Sequence, residues 1–189
     1  MKTRMAVLYD IGQPLVIGEL EIPPLKSGQV LVRVLFSGIC GTQLGEVQGK
    51  MGPDKYLPHS LGHEGAGIVE DIGEGVGKVR VGDHVILSWI KGSGLNGPPP
   101  RYRKGPQVIS AGFANTFTEH SIASENRLVP VSRDMPLDKA SILGCAVATG
   151  FGAVFNDAKV TPGSNVMVVG TGGVGLSAIQ AASLVNAAR

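Results

Sequence analysis

The chain has 189 residues, 43% hydrophobic and 17% charged, with a formal net charge of +2. That composition excludes a disordered chain, and 17 basic against 15 acidic residues is too even to mark a nucleic-acid or anionic-membrane surface. The 28 glycines and 12 prolines favour turn-rich β structure over a helical bundle.

The start, MKTRMAVLYD, carries Lys2 and Arg4, but its apolar run from Met5 to Tyr9 is too short for a signal-peptide core. With no secretory context, Cys40 and Cys145 read as free thiols in a reducing cytoplasm. Short strands cut by Gly and Pro fill the chain to about residue 130. Val30, Val32, Val34 and Phe36 alternate in QVLVRVLF, the period of a half-buried strand, and GAGIVEDIG and GDHVILSW are similar runs. Their spacing suggests a small barrel or sandwich.

The stretch Lys91 to Gly112, KGSGLNGPPPRYRKGPQVISAG, reads as a loop, with Arg101, Arg103 and Lys104 on a solvated tip. From Pro136, LDKASILGCAVATGFGAVF turns helical. VTPGSNVMVVG then reads as a turn and a buried strand, and Gly173 to Ala188 as a helix with Val174, Ile179, Ala182 and Val185 inward. The run Val166 to Ala188 is uncharged and long enough for a membrane helix. Its glycines, serines, Gln180 and Asn186 favour a soluble strand–turn–helix instead.

Gly170-Thr171-Gly172-Gly173-Val174-Gly175 follows a β-branched run and opens a helical pattern, the context a dinucleotide-binding turn requires. Gly170 permits the tight turn, Gly172 lets backbone approach a pyrophosphate, and Gly175 allows close helix–strand packing. Helix N-terminal amides then face phosphate. No acidic residue follows to hold a ribose hydroxyl, so NAD and NADP are not distinguished. Upstream, SGICGTQLGEVQG, LGHEGAGIVEDIGEGV and LGCAVATGFGAV offer a Cys, a His-Glu pair and another Cys. Their gaps are far wider than a zinc-finger spacing, and spacing alone reads Cys40 and Cys145 as ordinary buried cysteines. His59, His84 and His120 read as structural or surface histidines.

LGHEGAGIVEDIGEGVGKVRVGDHV resembles the signature of the zinc-containing medium-chain alcohol dehydrogenases. SGICGT before it, GCAVATGFGAV after it and the final GTGGVG also fit, in that family's order. The resemblance implies a mixed α/β fold: a β-rich GroES-like catalytic domain over residues 1–150, then the first strand and helix of a Rossmann domain over 151–189. It implies Cys40, His63 and Cys145 as ligands of one catalytic zinc, leaving one coordination position open, the ligand set given for alcohol dehydrogenase among catalytic zinc sites. It implies an alcohol or carbonyl substrate, NAD or NADP as hydride partner, no nucleic-acid or membrane partner, and a homo-oligomeric assembly in the cytoplasm.

By the same resemblance, Glu64 lies close to the metal and coordinates it transiently, although a structural carboxylate fits that position as well. Thr42 matches a hydroxyl that passes the alcohol proton outward, Thr149 a position beside the nicotinamide, and Trp89 one lining the substrate pocket. A helix-capping Thr42 and a core-packing Trp89 remain the alternatives. On the same fold stand two further readings, a zinc-free quinone-reductase type and a non-catalytic GroES-like interaction module. The joint presence of Cys40, His63 and Cys145 speaks against the first, and the GTGGVG ending against the second.

The chain departs from the family's pattern in several places. No cysteine lies between Cys40 and Cys145, which excludes a four-cysteine structural zinc. Gln43 stands where an acidic residue often supports the metal site, and Gly45 where some members extend the proton relay through a histidine. Members continue through a complete Rossmann domain, so the expectation is an N-terminal fragment, inactive by itself, with exposed apolar surface towards the C-terminal end.

Overall fold

The structure, a computed structural model, describes residues 1–188. The N-terminal two thirds are built from strands: β1 (Lys2–Leu8), β2 (Val16–Glu21), β3 (Gln29–Ser37), β4 (His59–Ser60), β5 (Glu64–Ile72), β6 (His84–Ser88), β7 (Arg101–Lys104), β8 (Gln107–Ser110), β9 (His120–Ser124) and β10 (Leu128–Val131). One sheet closes into a barrel in the order β1-β2-β7-β8-β4, and the other runs β10-β6-β5-β3-β9. The expected β-rich body is therefore present.

Two apolar cores share the wall formed by β3 and β9. Val30, Val32, Val69, Val85, Leu87 and Leu128 fill one, and Met5, Val7, Leu20, Tyr102, Ile109 and Ile122 the other. Each such side chain contributes roughly 1.5–3 kcal/mol on burial. Leu31 and Ile122 face one core while their neighbours Val30, Val32 and Ala123 face the other. This corrects the simple alternation expected of QVLVRVLF. The first half of β3 is buried on both faces, and register shifts at Leu31/Val32 and Val34/Phe36 leave Phe36 47% exposed.

The Lys91–Gly112 stretch is more ordered than a loop. β7 and β8 form an antiparallel hairpin in which Tyr102 opposes Ile109, both fully buried. Alternation in Arg-Tyr-Arg sends the tyrosine inward and leaves Arg101, Arg103 and Lys104 exposed, as expected of those three. The loop before the hairpin is clamped by Glu125. Its Oε1 accepts the Gly77 and Lys78 N–H groups at 2.7 Å each, and Oε2 accepts Leu95 N–H at 2.5 Å. Gly94, at φ +107°, passes so close that a Cβ would press on the Glu125 side chain. Gln29 Nε2 donates to Pro98 O at 2.7 Å, and Gly92 N–H to Asn126 O at 2.8 Å.

The helices are α1 (Gly41–Val47), α2 (Leu137–Ala140), α3 (Ala146–Gly152) and α4 (Gly173–Leu184). A 3-10 turn, Ser141–Gly144, joins α2 to Cys145, and a π-helical turn, Ala153–Asp157, continues α3. α3 crosses α4 at Gly150, where a Cβ would overlap Ser177 Cβ, Val174 O and Ala178 N. Ser177, Ala181 and Ala182 make the buried face of α4.

Two expectations fail here. Val174 and Ile179 do not point inward but are 41% and 44% exposed, because small residues set the close α3–α4 crossing. Residues 165–171 form no strand, and Met167 and Val169 are 87% and 90% exposed. Extended backbone becomes a strand by pairing, and among the described residues no strand lies beside this one. Among the described residues, no single helix is long and apolar enough to cross a membrane.

Candidate functional site

Three segments far apart in the chain meet where β3 ends and β5 begins. The β3–β5 ladder runs to Ser37 opposite Gly65, and Gly38 N–H donates to Glu64 O at 2.9 Å. This stitches the approach to Cys40 against His63-Glu64. A side chain at residue 38 would overlap the Glu64 carboxylate, so Gly38 keeps the approach open. β5 pairs with β6 so that Glu64 lies opposite Ser88, and Ser88 Oγ donates to Gly144 O at 2.7 Å. Gly144 lies so close to Leu87 O that a Cβ would not fit. Strand register thus delivers Cys145 to the other two segments.

One ligand atom from each of Cys40, His63, Glu64 and Cys145 lies within 4.8 Å of all the others. Tetrahedral zinc with bonds of about 2.3 Å to sulfur places two thiolates about 3.8 Å apart, so the spread and the Cys/His/Cys donor set fit zinc. Burial, hydrogen bonding to Glu64 and the nearby Cys40 push the Cys145 thiol up to about 12. Burial holds the His63 imidazole below its ordinary value, against the opposing pull of Glu64. His63 is therefore neutral at pH 7, as a ligand must be, whereas a metal binding here displaces the Cys145 proton.

Gln43 is buried in the first turn of α1. Its Oε1 accepts Cys40 N–H at 3.1 Å, and its Nε2 lies 2.5 Å from His63 Nδ1. That contact occupies Nδ1 and leaves Nε2 for the cluster. Thr42 is exposed, with its hydroxyl 3.6 Å from Cys40 Sγ.

A cleft of about 250 Å³ adjoins the cluster, and residues of the cluster and of the glycine-rich turn line it together: Cys40, Glu64, Ala146, Gly173, Val174 and Ser177. Gly170 has φ +101°, a Cβ on Gly175 would overlap Gly170 O, and Gly172 faces open space. Thr149, exposed on α3, donates its N–H to Cys145 O at 2.8 Å. A larger cleft, about 390 Å³, runs behind Gln43 and His63 past Glu46, Tyr56 and His59. Burial raises the Glu46 carboxyl, with Asp54 adding to the effect and His59 opposing it.

Trp89 lines neither cleft; it is 55% exposed, and its carbonyl accepts from the Arg127 guanidinium. His59 pairs with Asp54 at 2.6 Å and His120 with Glu70 at 3.3 Å, while His84 Nδ1 has no partner. Sequence reasoning missed Ser88, which positions the Cys145 turn, and Ser177, which lines the cleft. Both are isolated serines whose significance arises only from strand register and helix crossing.

Residues 26–133 match the family model for the alcohol dehydrogenase GroES-like domain. The S-(hydroxymethyl)glutathione dehydrogenase of Synechocystis sp. is 35% identical over the whole chain, which spans 58% of that protein. Among solved structures, the alcohol dehydrogenase zinc-binding domain protein from Burkholderia ambifaria superposes with a TM-score of 0.88 at 29% identity. Benzyl alcohol dehydrogenase from Acinetobacter calcoaceticus gives 0.86 at 32%. Both comparisons cover 100% of this chain and 57% of the other.

Proposed function

The chain belongs to the alcohol dehydrogenase GroES-like domain family, and from that premise we propose that it serves zinc-dependent hydride transfer between an alcohol or polyol and NAD or NADP. In this reading residues 1–150 form the catalytic domain and 151–189 begin the dinucleotide-binding domain, within a cytoplasmic homo-oligomer. The observation that carries it is the shared cleft, walled on one side by Cys40 and Glu64 and on the other by the N-terminus of α4.

Cys40, His63 and Cys145 would hold the zinc, with Glu64 as an exchangeable fourth donor. Bound there, zinc supplies Lewis-acid polarisation of an alcohol or carbonyl oxygen. The chain's own residues do the rest. Two sulfur donors would offset the ion's charge, and the Thr42 hydroxyl, 3.6 Å from Cys40 Sγ, would be the first carrier of the substrate's proton. The exposed Gly172 backbone and the first amides of α4 would hold the cofactor's phosphates, and Thr149 would contact its nicotinamide.

Metal analysis and turnover on the 189-residue chain test the reading. About one zinc per chain is expected, and none after Cys40→Ser. Alcohol-dependent NAD or NADP reduction is expected near background, because residues 176–188 offer no carboxylate for a ribose. Protein that binds no zinc when purified with zinc present would contradict it and favour a zinc-free oxidoreductase.

A further inference from the structure

Gln43 is 3% exposed and bridges two ligand-bearing segments with a side chain that owns one acceptor atom and one donor group. The Cys40 backbone N–H can only donate, so the amide atom 3.1 Å from it must be oxygen. The amide NH₂ then faces His63 Nδ1 at 2.5 Å, and Nδ1 must accept. A neutral imidazole that accepts at Nδ1 carries its proton on Nε2. Nε2 is also the nitrogen left to join Cys40, Glu64 and Cys145, since Nδ1 is taken.

We infer that Gln43 is a positioning residue that sets the His63 tautomer against metal ligation, holding on Nε2 the proton that a metal must displace. This rests on the reading of the Cys40/His63/Cys145 cluster as a zinc site. Ligation through Nε2 requires the proton to leave that atom and one to arrive at Nδ1, by way of water. The amide must also turn over to offer its oxygen to Nδ1–H. Turned over, it sets its NH₂ against the Cys40 N–H, two donors facing each other at the start of α1. One amide cannot serve both donors from two different atoms. A carboxylate can, because both of its oxygens accept.

Gln43→Glu separates these states with two measurements. The first is the His63 tautomer in metal-free protein, read from long-range ¹H–¹⁵N correlations at a pH where the ring is neutral. Wild type is expected to show Nε2–H, and Gln43→Glu to show Nδ1–H. The second is zinc affinity by competition with a chromogenic chelator, expected to be about 10- to 100-fold tighter in Gln43→Glu, the range over which partners of metal-bound histidines act. An Nδ1–H tautomer in the wild-type protein overturns the inference even where the variant does not fold, and so does equal zinc affinity in the two proteins. If the tautomers switch as stated while neither protein binds zinc, Gln43 still sets the His63 tautomer, but the zinc reading falls and takes with it the part of the inference that concerns ligation.

Discussion

The β-rich body and the C-terminal segment handle apolar surface in opposite ways. In the body, Val30, Val32, Leu87 and Tyr102 are sealed between paired strands, and the ligand-bearing turns hang from that frame. From Val166 onward, Met167, Val169, Leu176 and Leu184 are all exposed, and α4 is held by its crossing with α3 and a small cluster around Val154. The Cys40/His63/Glu64/Cys145 cluster is thus framed by paired strands, whereas the glycine-rich turn is held from one side. Long-range ladders fix the first; a helix crossing and one small apolar cluster fix the second.

Truncating a body core residue should show the contrast most strongly. Leu87→Ala is expected to lower stability by about 2–5 kcal/mol, read from the urea midpoint, through lost burial and the cavity left behind. Glu125→Gln comes next, at about 1.5–3 kcal/mol, since a carboxylate taking three backbone N–H donors loses charge and one acceptor. It also has a pH signature. Burial pushes the Glu125 carboxyl up, but the Leu95, Lys78 and Gly77 amides and the Lys78 charge outweigh this, and the net shift is downward. A value lower in the folded than in the unfolded state gives stability that is present above the unfolded value. That stability is lost as pH falls through the folded value. The variant should therefore lose less stability on acidification than wild type.

Tyr102→Phe should cost about 1 kcal/mol, because the tyrosine oxygen accepts Ile122 N–H at 2.8 Å and its loss leaves that amide unpaired. Met167→Ser should change stability by no more than about 0.5 kcal/mol, since the side chain is already in water. A Met167 effect as large as that of Leu87 would erase the contrast between the two regions. Faster amide exchange across α4 than across β3 would sharpen it.

What could be read from the chain follows the same division. Cys40, His63, Glu64 and Cys145 were legible because their short motifs survive intact in order, and the structure gathers all four. The β-rich body was legible from Gly-Pro punctuation. The β7–β8 hairpin was not, because three prolines mask a period-two pattern only four residues long on each side. Double-sided burial of β3 escaped because alternation assumes one wet face. Val174 and Ile179 were assigned inward by apolarity, while the crossing at Gly150 selects small residues instead. Gln43 was visible as a departure, but its opposing demands exist only once Cys40 N–H and His63 Nδ1 lie on either side of it.

Gly150 carries one more consequence. From Cys145 to Gly150 is five residues of chain, a rise of about 7.5 Å along α3. With no side chain at the crossing, the backbone of α4 at Val174 and Ala178 comes close to that of α3. A side chain at position 150 would meet Ser177, Val174 and Ala178, so it would push the N-terminal half of α4, which walls the cleft at Gly173, Val174 and Ser177, away from α3.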